Sequence, residues 1–119
     1  MEILIIDDDE EFLFLLNELL IQHGFKSHIA TNGIKALKFM HEHNIDLVIT
    51  DAIMPDTPIM SFICTLKNSY PGIPLILISG LPHNPLVNNS LILGADEFIP
   101  KPIDVGSLLK VINKYKKAA

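Results

Sequence analysis

Five polar side chains follow four short apolar segments of the sequence, and their types suit the transfer of a phosphoryl group. Asp7 and Asp8 follow the first such segment, Asp51 follows the third, Ser79 the fourth and Lys101 the fifth. Carboxylates that lie together repel one another and need a cation, and oxygen ligands of this kind suit Mg²⁺. A nucleophilic carboxylate, a divalent metal ion, a lysine and a hydroxyl are the components of phosphoryl transfer. The pattern predicts such a site wherever the fold brings these segment ends together.

The apolar segments have the length and composition of strands that are buried on both faces of a sheet. The predicted strands are Ile3–Ile6, Phe25–Ile29, Leu47–Ile49, Leu75–Ile78 and Glu97–Ile99. The stretches between them are long enough for helices, so the sequence predicts an α/β fold with a parallel sheet covered by helices on both sides. Ligands bind at the carboxyl ends of the strands in such sheets, which is where the polar residues are expected to meet.

Local sequence patterns also predict the buried face and the end of the first helix and the start of the third. The first helix should face the core through apolar residues that recur at helical spacing, namely Phe12, Leu15, Leu16, Leu19 and Leu20, and should stop at Gly24. Thr57 should cap the third helix, with Pro58 in its first helical position. Cys64 should fill space in the core beneath that helix.

The composition favours a single globular domain. The chain has 119 residues, of which 49% are hydrophobic and 19% are charged, and its formal net charge is −5. The negative charge argues against direct contact with nucleic acid or an anionic membrane. One cysteine, no signal peptide and no apolar run of about 20 residues together predict a protein of the cytoplasm.

Four motifs occur in a fixed order along the chain. They are Ile3-Leu4-Ile5-Ile6-Asp7-Asp8, the segment Asp46–Pro55 with Asp51 near its centre, Ile78-Ser79-Gly80, and the segment Gly94–Pro102. In this order and at this spacing, essentially the whole chain resembles the response regulator receiver family of two-component signalling. The resemblance implies a flavodoxin-like fold, a doubly wound five-stranded parallel sheet in the order 2-1-3-4-5 with five helices. It also implies one receiver domain over residues 1–119.

The resemblance further implies which residues carry the phosphoryl group and the metal ion. Asp51 would be the phosphoacceptor. Asp8 and Asp51 would contact Mg²⁺ directly, the backbone carbonyl of Ile53 would add a ligand, and Asp7 would act mainly through water. The chain would then be no enzyme in the usual sense, but a phosphoacceptor that catalyses its own phosphorylation and dephosphorylation.

Other residues and partners follow from the same resemblance. Lys101 would contact the phosphoryl group, and Ser79 would hydrogen-bond one of its oxygens. Ser79 and Phe98 would form the switch, and the Lys101-Pro102 peptide would be cis. The donor would be a sensor histidine kinase or a histidine phosphotransfer protein, and an output protein or domain would read the phosphorylated state.

The sequence departs from the family pattern at one position near the site. Receivers usually have glycine eight residues after the phosphoacceptor, and here that position is Ile59. We therefore expect the loop before the third helix to follow a different course. Asp9, Glu10 and Glu11 are interpreted as charges of the first helical turn rather than as metal ligands.

Three alternatives compete with the receiver interpretation. Asp7-Asp8-Asp9 matches the Asp-x-Asp motif of haloacid dehalogenase-type phosphatases, in which Asp7 would be the nucleophile, although Glu11 is atypical there. A nucleotide or flavin binder could share the fold, but no glycine-rich turn follows the first strand. Finally, the chain could be the receiver part of a larger regulator or hybrid kinase.

Overall fold

The apolar segments form one parallel sheet with the strand order β2-β1-β3-β4-β5. The computed structural model describes residues 1–81 and 84–116, apart from the side chains at positions 86, 87 and 92. The strands are β1 (Glu2–Ile6), β2 (Lys26–Ala30), β3 (Leu47–Asp51), β4 (Leu75–Ser79) and β5 (Glu97–Pro100). The predicted doubly wound sheet is confirmed, including the strand order. Positions 82, 83 and 117–119 of the predicted domain lie outside the described residues.

A helix follows each strand and covers one face of the sheet. The helices are α1 (Glu10–Gln22), α2 (Gly33–Glu42), α3 (Ile59–Ser69), α4 (Pro85–Ile92) and α5 (Val105–Lys114). Buried side chains of α1 and α5 share one apolar cluster, and those of α2 and α3 share another. Within the described part of the chain, no helix is long and apolar enough to cross a bilayer.

Strand β1 shows why an uninterrupted apolar run is needed between two layers of helices. Ile3 and Ile5 point into the α1/α5 cluster, whereas Leu4 and Ile6 point into the α2/α3 cluster. All four side chains are completely buried. Burial of an aliphatic side chain of this size contributes about 1.5–3 kcal/mol, so a polar residue at any of these positions would be costly.

The predicted inward face of α1 was wrong in part. Leu16 and Leu20 are buried as expected, but Leu15 is 61% exposed, and Leu13, which was not among the predicted residues, is completely buried. The helix ends at Gln22, and Gly24 has the positive φ of +88° that a residue following a helix end often needs. The predicted stop at Gly24 is therefore confirmed.

The start of α3 also differs from the prediction. Pro58 occupies the N-cap position without a side-chain hydrogen bond, and Ile59 is buried as the first helical residue. Thr57 does not cap α3; its hydroxyl oxygen accepts a hydrogen bond of 2.9 Å from the backbone N–H of Gly33, at the start of α2. Cys64 is exposed on α3, so its predicted role as a core residue was wrong.

Candidate functional site

Four adjacent strands deliver polar residues to the carboxyl edge of the sheet. Asp7 follows β1, Asp51 and Ser79 are the last residues of β3 and β4, and Lys101 follows β5. The strand register places Asp51 opposite Ile78 of the neighbouring strand. Because β1, β3, β4 and β5 are consecutive in the sheet, their ends must meet in space. The sequence pattern predicted this convergence correctly.

Three carboxylates form an acidic cluster at this edge, which we define as Asp7, Asp8 and Asp51. One oxygen from each lies within 4.8 Å of the others. Asp7 is completely buried and Asp51 is 8% exposed, whereas Asp8 is exposed. Asp9 does not join the cluster, because its carboxylate accepts a hydrogen bond from the Phe12 N–H and caps α1. Asp9 thus precedes the first turn that it was predicted to occupy, and Glu10 and Glu11 lie in that turn as predicted.

Lys101 supplies positive charge to the acidic cluster. Its Nζ lies 2.8 Å from Asp7 Oδ2 and 3.8 Å from Asp51 Oδ2. The ammonium group also lies over the ring of Phe12, 4.3 Å from the ring centroid. The Lys101-Pro102 peptide is cis, as the resemblance implied. One lysine facing three carboxylates leaves the site with excess negative charge.

Burial and charge repulsion perturb the carboxyl of Asp51. Burial, the larger effect, and the neighbouring Asp7 carboxylate raise the pKa of Asp51 from 3.8 to about 6. Lys101 acts in the opposite direction, and so does the Ile53 N–H, which lies 3.4 Å from Asp51 Oδ1. Near neutral pH, Asp51 is therefore mainly ionised and able to act as a nucleophile.

The acidic cluster has the donor set of a site for a hard divalent cation. Carboxylate oxygens are the ligands that Mg²⁺ takes most readily, and two of the three carboxylates are already removed from bulk water. A cation bound there would offset the negative charge that Lys101 leaves uncompensated. The residues present therefore fit a metal ion. A direct contact from the carbonyl of Ile53 stays a prediction.

The two predicted switch residues occupy different environments. Ser79 is buried at the end of β4, and its hydroxyl oxygen accepts a hydrogen bond of 3.0 Å from the Leu81 N–H. Phe98 on β5 is half-buried and packs against the cluster beneath α2 and α3. Ser79 thus lies at the carboxyl edge with the acidic cluster, whereas Phe98 is placed further back along the sheet. Their response to phosphorylation stays a prediction.

Two contacts near the site could not be read from the sequence. The ring of Phe12 lies against Lys101, and the hydroxyl of Thr57 ties the loop after β3 to the start of α2. Both contacts join residues that are distant along the chain. Periodicity placed Phe12 on the inner face of α1, but nothing in the sequence paired it with a lysine.

The fold and the site agree with what comparison with known proteins shows. Residues 3–113 match the model of the response regulator receiver domain. The chain is 30% identical to the chemotaxis protein CheY of Bacillus subtilis over 113 residues, which is 94% of each chain. It resembles the crystal structure of a CheY-like response regulator receiver domain protein from Methanospirillum hungatei JF-1, with a TM-score of 0.89 and 27% identity over 95% of this chain and 90% of that one.

Other relatives are much longer. The chain is 29% identical to the DNA-binding transcriptional regulator NtrC of a Bradyrhizobium strain, over 94% of its own length but only 23% of the relative's. None of these findings supports the alternative of a haloacid dehalogenase-type phosphatase with Asp7 as nucleophile. Because the family match covers nearly the whole sequence, the chain belongs to the response regulator receiver domains of two-component signalling.

Proposed function

We propose that Asp51 is the residue of this receiver that accepts the phosphoryl group, with Mg²⁺ bound at the acidic cluster. The observation that carries the proposal is the convergence of Asp7, Asp8, Asp51 and Lys101 at one sheet edge. Asp51 is the cluster member at the end of the central strand β3, and its Oδ2 lies within 4 Å of the Lys101 ammonium. Receiver domains act as phosphoacceptors rather than as enzymes that turn over a substrate.

The proposed transfer is a displacement at phosphorus. One oxygen of the Asp51 carboxylate forms a bond to phosphorus as the bond to the donor nitrogen breaks, and the electron pair of that bond stays on the nitrogen. Lys101 Nζ, which lies 3.8 Å from Asp51 Oδ2, would donate a hydrogen bond to a phosphoryl oxygen, and the Ser79 hydroxyl would be a second donor. The domain thus promotes its own phosphorylation by orienting the acceptor and compensating charge.

The metal ion would be held by Asp8 and Asp51, with Asp7 acting through water and the Ile53 carbonyl as a further ligand. A bound Mg²⁺ would supply positive charge that offsets the charge of the phosphoryl oxygens. We assign a second role to Asp7, because its Oδ2 accepts a hydrogen bond from Lys101 and its Oδ1 accepts one from the Asp9 N–H. It thereby holds the lysine beside the acceptor.

Membership of the receiver family suggests the phosphoryl donor and the output partner of this chain. We propose that a histidine kinase or a histidine phosphotransfer protein of the cytoplasm donates the phosphoryl group to a domain spanning residues 1–119. Ser79 and Phe98 would relay the modification to the surface of α4, β5 and α5, where an output protein or domain would bind. The NtrC relative is a DNA-binding transcriptional regulator, so an output domain of that class is one candidate for this chain. No direct contact of the receiver with nucleic acid or membrane is proposed.

Phosphorylation by a small-molecule donor tests the assignment of the acceptor. Incubation with acetyl phosphate and Mg²⁺ is expected to add one phosphoryl group to the wild type, visible by intact-mass spectrometry. Asp51→Asn should show no added mass, because an amide is not a nucleophile towards phosphorus. Asp56→Asn is the matched control, since Asp56 is an exposed aspartate of the loop that follows β3. Labelling of Asp51→Asn at the wild-type level, or labelling at Asp7, would refute the proposal.

Metal binding has an independent readout in thermal stability. Since a ligand of the folded state stabilises it by mass action, saturating Mg²⁺ should raise the thermal midpoint by about 3–6 °C, measured by circular dichroism. Asp8→Ala should remove most of this rise. Asp46→Ala serves as the control, because Asp46 lies at the opposite end of the sheet, where its carboxylate accepts a hydrogen bond from the Glu2 N–H. Equal shifts in the wild type and Asp8→Ala would place the ion elsewhere.

A further inference from the structure

We propose that Phe12 is a positioning residue for phosphoryl transfer, because the face of its aromatic ring holds the ammonium group of Lys101 at the site. The inference rests on the proposed function, in which Lys101 contacts the phosphoryl group. Lys101 Nζ lies 4.3 Å from the centroid of the Phe12 ring, well inside the range of about 6 Å over which a cation is attracted to the face of an aromatic ring.

Phe12 is held in place by contacts other than the one with Lys101. Phe12 lies in the first turn of α1, and its N–H donates a hydrogen bond of 3.1 Å to the capping carboxylate of Asp9. Its side chain is half-buried and packs against the cluster beneath α1 and α5. The lysine side chain has many rotamers in solution, so a preformed surface that attracts its charged end lowers the entropy cost of placing it.

Phe12 differs in kind from the two carboxylates that lie near Lys101, those of Asp7 and Asp51. The Asp7 carboxylate at 2.8 Å is also a member of the acidic cluster, and its charge is shared with any cation that binds there. A phenyl ring is no metal ligand and accepts no strong hydrogen bond. Its attraction for the ammonium therefore persists when Asp7 is engaged otherwise, and it leaves the N–H groups of Lys101 free to donate to a phosphoryl oxygen.

If Phe12 had a purely structural role, its replacement would have different effects on Lys101. If the ring only fills space between α1 and the sheet, an aliphatic side chain of similar size would stabilise the fold almost as well and leave Lys101 unaffected. If the ring positions the lysine, aliphatic replacement removes the negatively polarised face, whereas tyrosine keeps it. The two roles are therefore separable by comparing Phe12→Leu and Phe12→Met with Phe12→Tyr.

The first measurement is the NMR shift of the ε-methylene protons of Lys101. In the wild type the ring current of Phe12 should move this resonance upfield of the other lysines, and its absence from Lys101→Met assigns it. Phe12→Leu and Phe12→Met should return it to the ordinary lysine position. The matched control is Phe14→Leu, because Phe14 lies two residues further along α1 and is 61% exposed. If the Lys101 resonance of the wild type were not shifted upfield, the proposal would be overturned before any variant was measured.

The second measurement is the initial rate of labelling by acetyl phosphate with Mg²⁺. We expect Phe12→Leu and Phe12→Met to slow labelling roughly three- to tenfold, in line with the strength of a partly desolvated cation–π contact. Phe12→Tyr should stay within about twofold of the wild type, and Phe14→Leu should not differ from it. Wild-type rates in both aliphatic variants would refute the positioning role. If the wild type itself were not labelled, the proposed function would fail, while the shift of Lys101 would still report on its contact with Phe12.

Discussion

Replacement of Lys101 by methionine is expected to destabilise the protein strongly when no divalent metal ion is present. The variant leaves Asp7, which is completely buried, and Asp51, which is 8% exposed, without the ammonium group that lies 2.8 and 3.8 Å from their oxygens. Removal of one partner from a buried ion pair leaves an uncompensated charge, and we expect a loss of about 2–4 kcal/mol in the free energy of unfolding. Urea denaturation near neutral pH, in the presence of a metal chelator, measures this loss.

Another lysine of the chain offers a matched control for this variant. Lys67 Nζ lies 2.8 Å from Asp96 Oδ2, but the Asp96 side chain is 35% exposed to water, whereas that of Asp7 is 1% exposed. Lys67→Met should therefore cost about 1 kcal/mol or less. Mg²⁺ should narrow the stability difference between Lys101→Met and the wild type and leave that between Lys67→Met and the wild type unchanged, because only Lys101→Met removes positive charge that a cation at the acidic cluster can replace. Equal losses for the two variants would show that the acidic cluster does not depend on Lys101.

Replacement of Asp51 by asparagine is expected to have the opposite effect on stability. The pKa of Asp51 rises from 3.8 to about 6 in the folded protein, so the folded state holds the proton more tightly than the unfolded chain does. Ionised Asp51 thus opposes folding, fully above about pH 6 and hardly at all below about pH 4. Because water still reaches part of the group, we expect Asp51→Asn to gain about 1–2 kcal/mol at about pH 7.5 without metal.

The dependence on pH distinguishes this effect from a change in packing. The gain should fall to about one third at about pH 4.5, since Asp51 is then largely protonated in the folded protein. Urea denaturation at both pH values measures it, with Asp56→Asn as the control because that carboxylate is exposed in the same loop. A gain that is the same at both pH values would indicate that the amide simply packs better than the carboxyl. A residue that weakens the fold in this way is typical of a functional site.

The sheet and the acidic cluster were predictable because they depend on few physical constraints. A strand covered by helices on both faces is apolar along most of its length, so β1, β3 and β4 stand out through their uninterrupted runs of Ile, Leu and Val, which are Ile3–Ile6, Leu47–Ile49 and Leu75–Ile78. Once parallel strands were inferred, the residues that follow them had to share one edge. The parallel topology was therefore enough to predict that Asp7, Asp51 and Lys101 lie close together. The resemblance to receiver domains added the strand order and the proposed roles.

The inward face of α1 was harder to predict, for a reason visible in its composition. Residues Phe12 to Leu16 are all apolar, so periodicity alone permits more than one buried face. The sheet beneath α1 selects Leu13 and Leu16 and leaves Phe14 and Leu15 exposed. Spacing can identify such a helix, but it cannot decide how far the helix is rotated when nearly every residue is apolar.

The role of Thr57 was missed because local and tertiary partners compete for the same hydroxyl. A threonine before a proline at the presumed start of a helix is typical of an N-cap. In the structure the N–H of Gly33 is the better-placed donor, because α2 approaches the loop closely enough for a bond of 2.9 Å. Satisfying a buried backbone donor outweighs capping a solvent-accessible helix end, and no sequence pattern shows that α2 lies within reach.

The close approach of α2 to the loop after β3 limits which residues can occur together at positions 33, 57 and 62 during evolution. A Cβ atom at position 33 would lie 2.7 Å from the methyl carbon of Thr57 and 3.0 Å from Cδ1 of Phe62. Gly33→Ala alone therefore meets a clash, whereas Thr57→Ser removes the methyl group and keeps the oxygen that the Gly33 N–H needs. In a lineage of such receivers, alanine at position 33 therefore becomes less costly once position 57 has lost its methyl group, although the Phe62 ring must still shift by a few tenths of an ångström. The order in which mutations arise, and not their identity alone, affects which sequences this loop can reach.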